Sequence, residues 1–204
     1  TDCVINLKHQ MVDNLYTRRL HITKYRGSVH GTNEYPFLIG EKGISIVPIT
    51  TPKVHKVSND VLSTGVKGLD DKIERKGLFV GSSTLISGGS GVGKTSFSIS
   101  ICTQSIMQKR RCLFFSFEES EPQLKRNMKS IGFDLEDYIR TGLLRIVSTR
   151  TTLLGLEAHL VSIYSHIDEF NPEVVVFDPV TDLIQVGGRA DVRGMLFRII
   201  DFLK

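Results

Sequence analysis

Gly88 to Thr95 read GGSGVGKT, and these eight residues constrain the chain more than any other feature. They match G-x-x-x-x-G-K-[ST], the loop that cradles nucleotide phosphates between a strand and a helix. The flanking segments have the required character. Ser83-Thr84-Leu85-Ile86-Ser87 reads as a buried strand, and Ser96 to Gln108 as a helix with Phe97, Ile101 and Met107 available to a core. Glycines let the backbone close around an anion without a Cβ in the way, and the helix N-terminus presents its free N–H groups to it. Ser90, Gly91, Val92, Gly93, Lys94, Thr95 and Ser96 are the expected ATP-binding residues. Lys94 would reach the β- and γ-phosphates, and the Thr95 hydroxyl would hold Mg²⁺.

The rest of the chain alternates strands and helices from Ser58 onward. Cys112 to Phe117 is an apolar strand running into Glu118-Glu119. Ser120, with Gln123 three residues later, reads as the capping box of a helix that Gly132 ends. Leu143 to Val147 is a short strand. Leu156, Leu160, Ile163, Ile167 and Phe170 step by four and three, the stripe of an amphipathic helix. Val174 to Asp178 is a strand ending in an acid, and Asp191 reads as the cap of a last helix carrying Val192, Met195, Ile199 and Leu203. Such alternation predicts an α/β fold with a mostly parallel sheet flanked by helices. Residues 1–57 differ in texture. Val4 to Leu7 and the alternating Arg19 to Arg26 read as strands, Phe37–Ile39 and Ile44–Val47 as a hairpin across Gly40-Glu41-Lys42-Gly43, and Thr50 to Lys56 as a linker.

Two acidic positions complete the expected chemistry. Ligands of open α/β sheets gather at the carboxyl ends of the strands. An aspartate there, Asp178, fits the Walker B position and would hold the metal directly or through water. Glu118 and Glu119 fall on the same edge, where a carboxylate can orient and deprotonate the water that attacks the γ-phosphate. Glu118 is also within the expected reach of the metal.

Composition agrees with a globular protein: 40% hydrophobic and 24% charged residues among 204. No leading apolar segment with a cleavage site is visible, and no apolar run approaches a membrane span. The three cysteines, Cys3, Cys102 and Cys112, form no C-x-x-C pair and read as reduced residues of a cytoplasmic protein. Cys102 is expected in the helix after the loop and Cys112 at the start of a strand. Net charge is +4, with Lys109-Arg110-Arg111 the densest basic run, expected in a solvated helix-to-strand loop.

Several segments together resemble the circadian-clock ATPase KaiC and its bacterial and archaeal relatives, within the RecA-like P-loop class. GGSGVGKT, FSFEES from Phe115, RNMKSIGFDLE from Arg126 and VVVFDPVTDL from Val174 look like the second of two tandem ATPase domains. KYRGSVH from Lys24 and EYPF from Glu34 look like the close of the first. The resemblance implies that 1–57 is the β-rich end of one ATPase domain and 58–204 most of a second, truncated at its C-terminus. It further implies a homohexamer that binds ATP between subunits, Glu118 and Glu119 as catalytic acids with Lys94, and Lys24 and Arg26 reaching a neighbour's ATP, with Ser28 and His30 as weaker contacts. Serine/threonine autokinase activity and clock or signalling protein partners are implied only by the resemblance. The first domain's P-loop, a strand expected between Walker A and Walker B, and the autophosphorylated Ser-Thr pair lie outside this sequence. The turn at Lys72 to Gly77 is more charged than the family's glycine-rich one.

The rival is a RecA-like recombinase or helicase that binds DNA. Thr181 to Arg193 offers Gly187-Gly188-Arg189 and Arg193, too few basic residues to build a DNA path. A nucleotide-binding scaffold without hydrolysis is disfavoured by Glu118 and Glu119. No membrane or nucleic-acid partner is expected.

Overall fold

A computed structural model describes residues 1–12, 15–40, 43–46, 58–153 and 155–204. The expected linker at Thr50 to Lys56, the hairpin's Glu41 and Lys42, and Val47 lie outside them. The described residues gather into two compact units. One lies within Thr1–Lys53, Thr151–His166 and Thr181–Leu203, the other within Val54–Arg150 and Ile167–Val180.

The first unit holds a four-stranded antiparallel sheet in chain order: β1 (Cys3–Val12), β2 (Leu15–Tyr25), β3 (Glu34–Gly40) and β4 (Gly43–Ile46). The expected hairpin is present, pairing Phe37 with Ile46 and Ile39 with Ile44. The β1–β2 register slips once: Val4 faces Lys24 while Ile5 faces Ile22, which leaves Thr23 as an extra residue. A bulge of this kind re-aims the side chains beyond it. One face of this sheet carries Lys8 paired with Glu34, and Arg19 placed 3.7 Å from Glu34 and 3.6 Å from Glu157.

The second unit is built on a parallel sheet. The P-loop leads into α1 (Lys94–Met107). Then come β7 (Cys112–Ser116), α2 (Glu121–Ser130), α3 (Glu136–Arg140), β8 (Leu144–Ser148) and β9 (Val174–Asp178). Along the chain α4 (Leu156–Phe170) precedes β9 and α5 (Arg189–Leu203) follows it; α5 and the larger part of α4 belong to the first unit. A short antiparallel pair, β5 (Val61–Leu62) and β6 (Leu78–Phe79), precedes them. The parallel strands lie in the order β8-β7-β9. Strand β7 is central and buried along its whole length, as its unbroken Cys-Leu-Phe-Phe run requires. Its core partners include Ile99, Cys102 and Ile106 from α1, Leu124 and Met128 from α2, and Leu144 and Ile146 from β8.

Several sequence expectations need correction. Residues 83–87 form no strand, and Leu85 is 80% exposed. A strand exists only through a ladder; both edges of β7 are taken by β8 and β9, and no described segment pairs with the far edge of β9. Helix α1 is rotated from its expected face: Ile101 is buried, but Phe97 is only half-buried and Met107 is 68% exposed. Ile99, Cys102 and Ile106 face the sheet instead, with Ser98 and Ser105 buried beside them. The Ser105 hydroxyl donates to the Ile101 carbonyl at 2.7 Å, so the helix absorbs its own buried polar group. Asp191 sits in the first turn of α5 rather than capping it. The basic run is not simply solvated: Arg110 lies 3.8 Å from Glu173, and Arg111 and Arg145 sit over the ring of Phe170.

Phe114→Ala should therefore cost about 3–5 kcal/mol of stability by emptying the centre of this core. Leu85→Ala should change it by no more than about 0.5 kcal/mol. Chemical denaturation of the two variants beside the parent checks both.

Candidate functional site

The phosphate loop is shaped by backbone that only glycine adopts freely. Gly91 and Gly93 have φ of +75° and +92°, and Gly93 is the residue from which α1 starts. The first turn of α1 follows at once, with the Phe97 N–H donating to the Gly93 carbonyl at 2.9 Å. No acidic residue stands in that turn to oppose an incoming anion. The Lys94 ammonium curls back over the loop and donates to the carbonyls of Gly88 at 3.0 Å and Gly89 at 2.6 Å.

Thr95, the next residue, donates its hydroxyl to the Asp178 carboxylate at 2.5 Å. The two are 83 residues apart in sequence, and the sheet brings them together. Parallel pairing sets Ser116 of β7 opposite Asp178 of β9, Phe115 opposite Phe177, and Ser116 opposite Ser148 of β8. The Phe115 and Phe177 rings stack at 5.0 Å, fixing the two strands against each other one residue before the acid. A hydroxyl and a carboxylate are hard oxygen donors, the kind Mg²⁺ takes from protein while keeping phosphate and water oxygens as its other ligands. The residues present fit that ion, with Thr95 and Asp178 as its holders.

Glu118 and Glu119 follow β7 on the same carboxyl edge. The backbone N–H of Phe117 donates to the Asp178 carbonyl at 2.9 Å, so the turn carrying both glutamates hangs from the end of β9. Glu118 is exposed and Glu119 half-buried. The Ser116 hydroxyl donates to the Glu119 carbonyl at 2.7 Å and accepts from its N–H at 3.3 Å. Asn127 of α2 donates to the Glu119 carboxylate at 3.2 Å, a contact that sequence spacing gave no reason to expect.

A further buttress stands behind α1. The Asp70 carboxylate accepts from the Ser63 hydroxyl at 2.5 Å and from the Thr64 hydroxyl and N–H at 2.7 and 3.1 Å. Gly65 then passes so close to α1 that a Cβ there would meet Ser100 Oγ at 3.0 Å, at a φ of +69°. The Ser63 bond above all, with those from Thr64, holds the Asp70 carboxyl below its ordinary value of 3.8 against an opposing push from burial.

The remaining candidates lie in the first unit. Lys24 is half-buried opposite Val4. Arg26 falls one residue past β2; its side chain is 70% exposed and 3.7 Å from Asp2, and its N–H donates to the Asp2 carbonyl at 2.8 Å. Ser28 bonds only weakly to the Val29 carbonyl at 3.4 Å, and His30 Nδ1 lies 3.2 Å from the Gly31 carbonyl. The P-loop, Thr95, Asp178 and the two glutamates belong to the second unit.

A glycine-lined loop opening a helix, its lysine, and a threonine against the acid of a neighbouring parallel strand define a P-loop protein of the RecA-like α/β class. Comparison with known proteins narrows the class. A family model for the KaiC ATPase matches residues 1–51 and 62–204. The chain is 42% identical over its whole length to the circadian clock protein KaiC2 of Synechocystis sp., and 32% identical to KaiC3 of the same organism. It is 35% identical to the circadian clock oscillator protein KaiC of Thermostichus vulcanus. These matches cover 36%, 40% and 39% of the relatives, so the chain spans little more than a third of their length. The chain belongs to the KaiC ATPase family.

Replacing Asp70 by Ala strands the buried Thr64 hydroxyl and should cost about 1–3 kcal/mol. Because the folded carboxyl titrates below its ordinary value, this advantage of the parent over the variant is present above pH 3.8. It should shrink as pH falls through the lower folded value, because the part that depends on the ionised carboxylate is then lost. Denaturation midpoints of both proteins between pH 7 and pH 2 check the sign.

Proposed function

We propose that this chain binds ATP with Mg²⁺ on the edge formed by the P-loop, Thr95, Asp178 and the glutamate pair, and hydrolyses it there. The observation that carries the reading is the Thr95–Asp178 hydrogen bond of 2.5 Å, which joins Walker A to Walker B. Lys94 would leave the Gly88 and Gly89 carbonyls for the β- and γ-phosphate oxygens. The loop and helix N–H groups, from Ser90 to Ser96, would hold the remaining phosphate charge. Bound Mg²⁺ would neutralise charge that develops between the β- and γ-phosphates. Glu118, exposed beside this edge, would take or orient the proton of the attacking water. Glu119, held in place, would assist.

The family also supports finer assignments, which we add to the proposal. Residues 1–57 would close one ATPase domain and 58–204 carry most of a second. Lys24 and Arg26, with Ser28 and His30, would contact ATP held by a neighbouring subunit of a homohexamer. Serine/threonine autokinase activity, clock or signalling partners and a cytoplasmic location complete the reading. No helix among the described residues is long and apolar enough to cross a membrane. A DNA-dependent recombinase or helicase finds no support at Thr181 to Arg193. That stretch runs as a 3-10 turn over Val180–Gln185 into α5 and holds only Arg189 and Arg193 as basic groups.

Two substitutions separate binding from turnover in the intact protein. Lys94→Ala should abolish most ATP affinity in a titration with a fluorescent ATP analogue; unchanged affinity would sink the assignment of the loop. Glu118→Gln should leave that affinity intact and lower steady-state phosphate release by roughly 10²-fold, the scale of general-base catalysis. Normal turnover by a double Glu118→Gln, Glu119→Gln variant would exclude both carboxylates as the base.

A further inference from the structure

The two glutamates are adjacent in sequence but are not held alike. Glu118 is exposed. Glu119 is fixed at three points: its N–H and its carbonyl both engage the Ser116 hydroxyl, and its carboxylate takes the Asn127 amide at 3.2 Å. Ser116 is itself anchored as the last residue of β7, opposite Asp178. The direction from which Asn127 reaches is equally fixed. Its helix neighbours Leu124 and Met128 are 1% and 6% exposed and lock the rotation of α2. The start of α2 is pinned by Gln123 Oε1, which accepts from the Ser120 N–H at 3.0 Å and the Ser120 hydroxyl at 2.7 Å. Asn127 is half-buried, so its bond is made beside the core and not in bulk water. The amide donates to Glu119 through its nitrogen while its Oδ1 lies 3.4 Å from the Arg126 guanidinium.

We infer that Asn127 is the positioning residue of the glutamate pair: it holds the Glu119 carboxylate in the orientation that lets Glu119 assist Glu118. This rests on the reading of Glu118 and Glu119 as the acids that act on the attacking water. The two carboxylates would then divide the work, Glu119 as the aimed member and Glu118 as the member free to move onto the water. Misplacing a group at a reacting centre by about 1 Å is enough to cost up to 10²-fold, whereas nucleotide binding rests on the P-loop and should not feel the change.

The test is a double-mutant cycle in the intact protein. Asn127→Asp keeps the shape but removes the donor and sets two carboxylates together, and Asn127→Ala removes the group altogether. Both should lower kcat for ATP hydrolysis about 10-fold while leaving KM and the affinity for a fluorescent ATP analogue within about twofold. Asn127→Gln, which keeps a donor amide, should recover part of the loss. In a Glu119→Gln background the Asn127→Ala change should cost less than about twofold, since its target is already altered. An equal loss of kcat in both backgrounds would show that Asn127 acts on the fold at large and would overturn the proposal, as would an unchanged kcat in Asn127→Asp. Analogue affinity and thermal unfolding of each variant identify one that has merely misfolded, and Asn127→Asp then carries the test. Normal turnover of the double Glu118→Gln, Glu119→Gln variant is a separate result, which overturns the catalytic reading beneath this one.

Discussion

The parallel register between β7 and β9 is the constraint on which the site depends. Because Ser116 stands opposite Asp178, the acid of one strand and the glutamate turn of the next emerge on one edge. The stacked Phe115 and Phe177 rings hold that register from within the sheet. A slip by one residue would send every side chain of β9 to the opposite face. Asp178 would then lose Thr95, and the P-loop would lose its link to the rest of the sheet. The candidate site is thus tied to the apolar ladder directly beneath it.

Helix α1 obeys a second constraint, close packing. Its inward face mixes bulky and small groups, Ile99, Cys102 and Ile106 with Ser98 and Ser105. The Ser63-Thr64-Gly65 turn approaches its back so closely that a Cβ at Gly65 would crowd Ser100 and Gln104, at a φ that favours glycine. Interiors packed to this density transmit small shifts. Asp70, which gathers that turn through three hydrogen bonds, therefore helps aim the helix whose first residues are Lys94 and Thr95.

Much of this was legible in the sequence where one local rule decided the outcome. The P-loop, the Ser120–Gln123 box, the stripe of α4 and the Phe37–Ile46 hairpin all depend on residues near one another in the chain. Legibility ended where partners are distant. Ser83 to Ser87 has the composition of a strand, but a strand is a property of a ladder, and none pairs with it among the described residues. The face of α1 departs from its apolar pattern: the sheet surface accepts the small Ser105 and leaves the apolar Met107 outside. The Asn127–Glu119 bond joins a helix to the turn before it through the orientation of a side chain, for which no spacing rule exists.

The two carbonyl bonds of Lys94 have a consequence for selectivity. The ammonium is already satisfied by its own loop, at 2.6 and 3.0 Å, so it does not wait as an isolated charge. Any anion that enters must displace an internal partner, and the exchange is favourable only when the newcomer offers more than two neutral dipoles. A singly charged carboxylate gains little by that trade, whereas a chain of phosphates replaces both contacts with charge-assisted ones and fills the N–H groups of the loop as well. Under the proposed function, these two bonds would act as a threshold that a polyphosphate crosses more readily than a singly charged carboxylate.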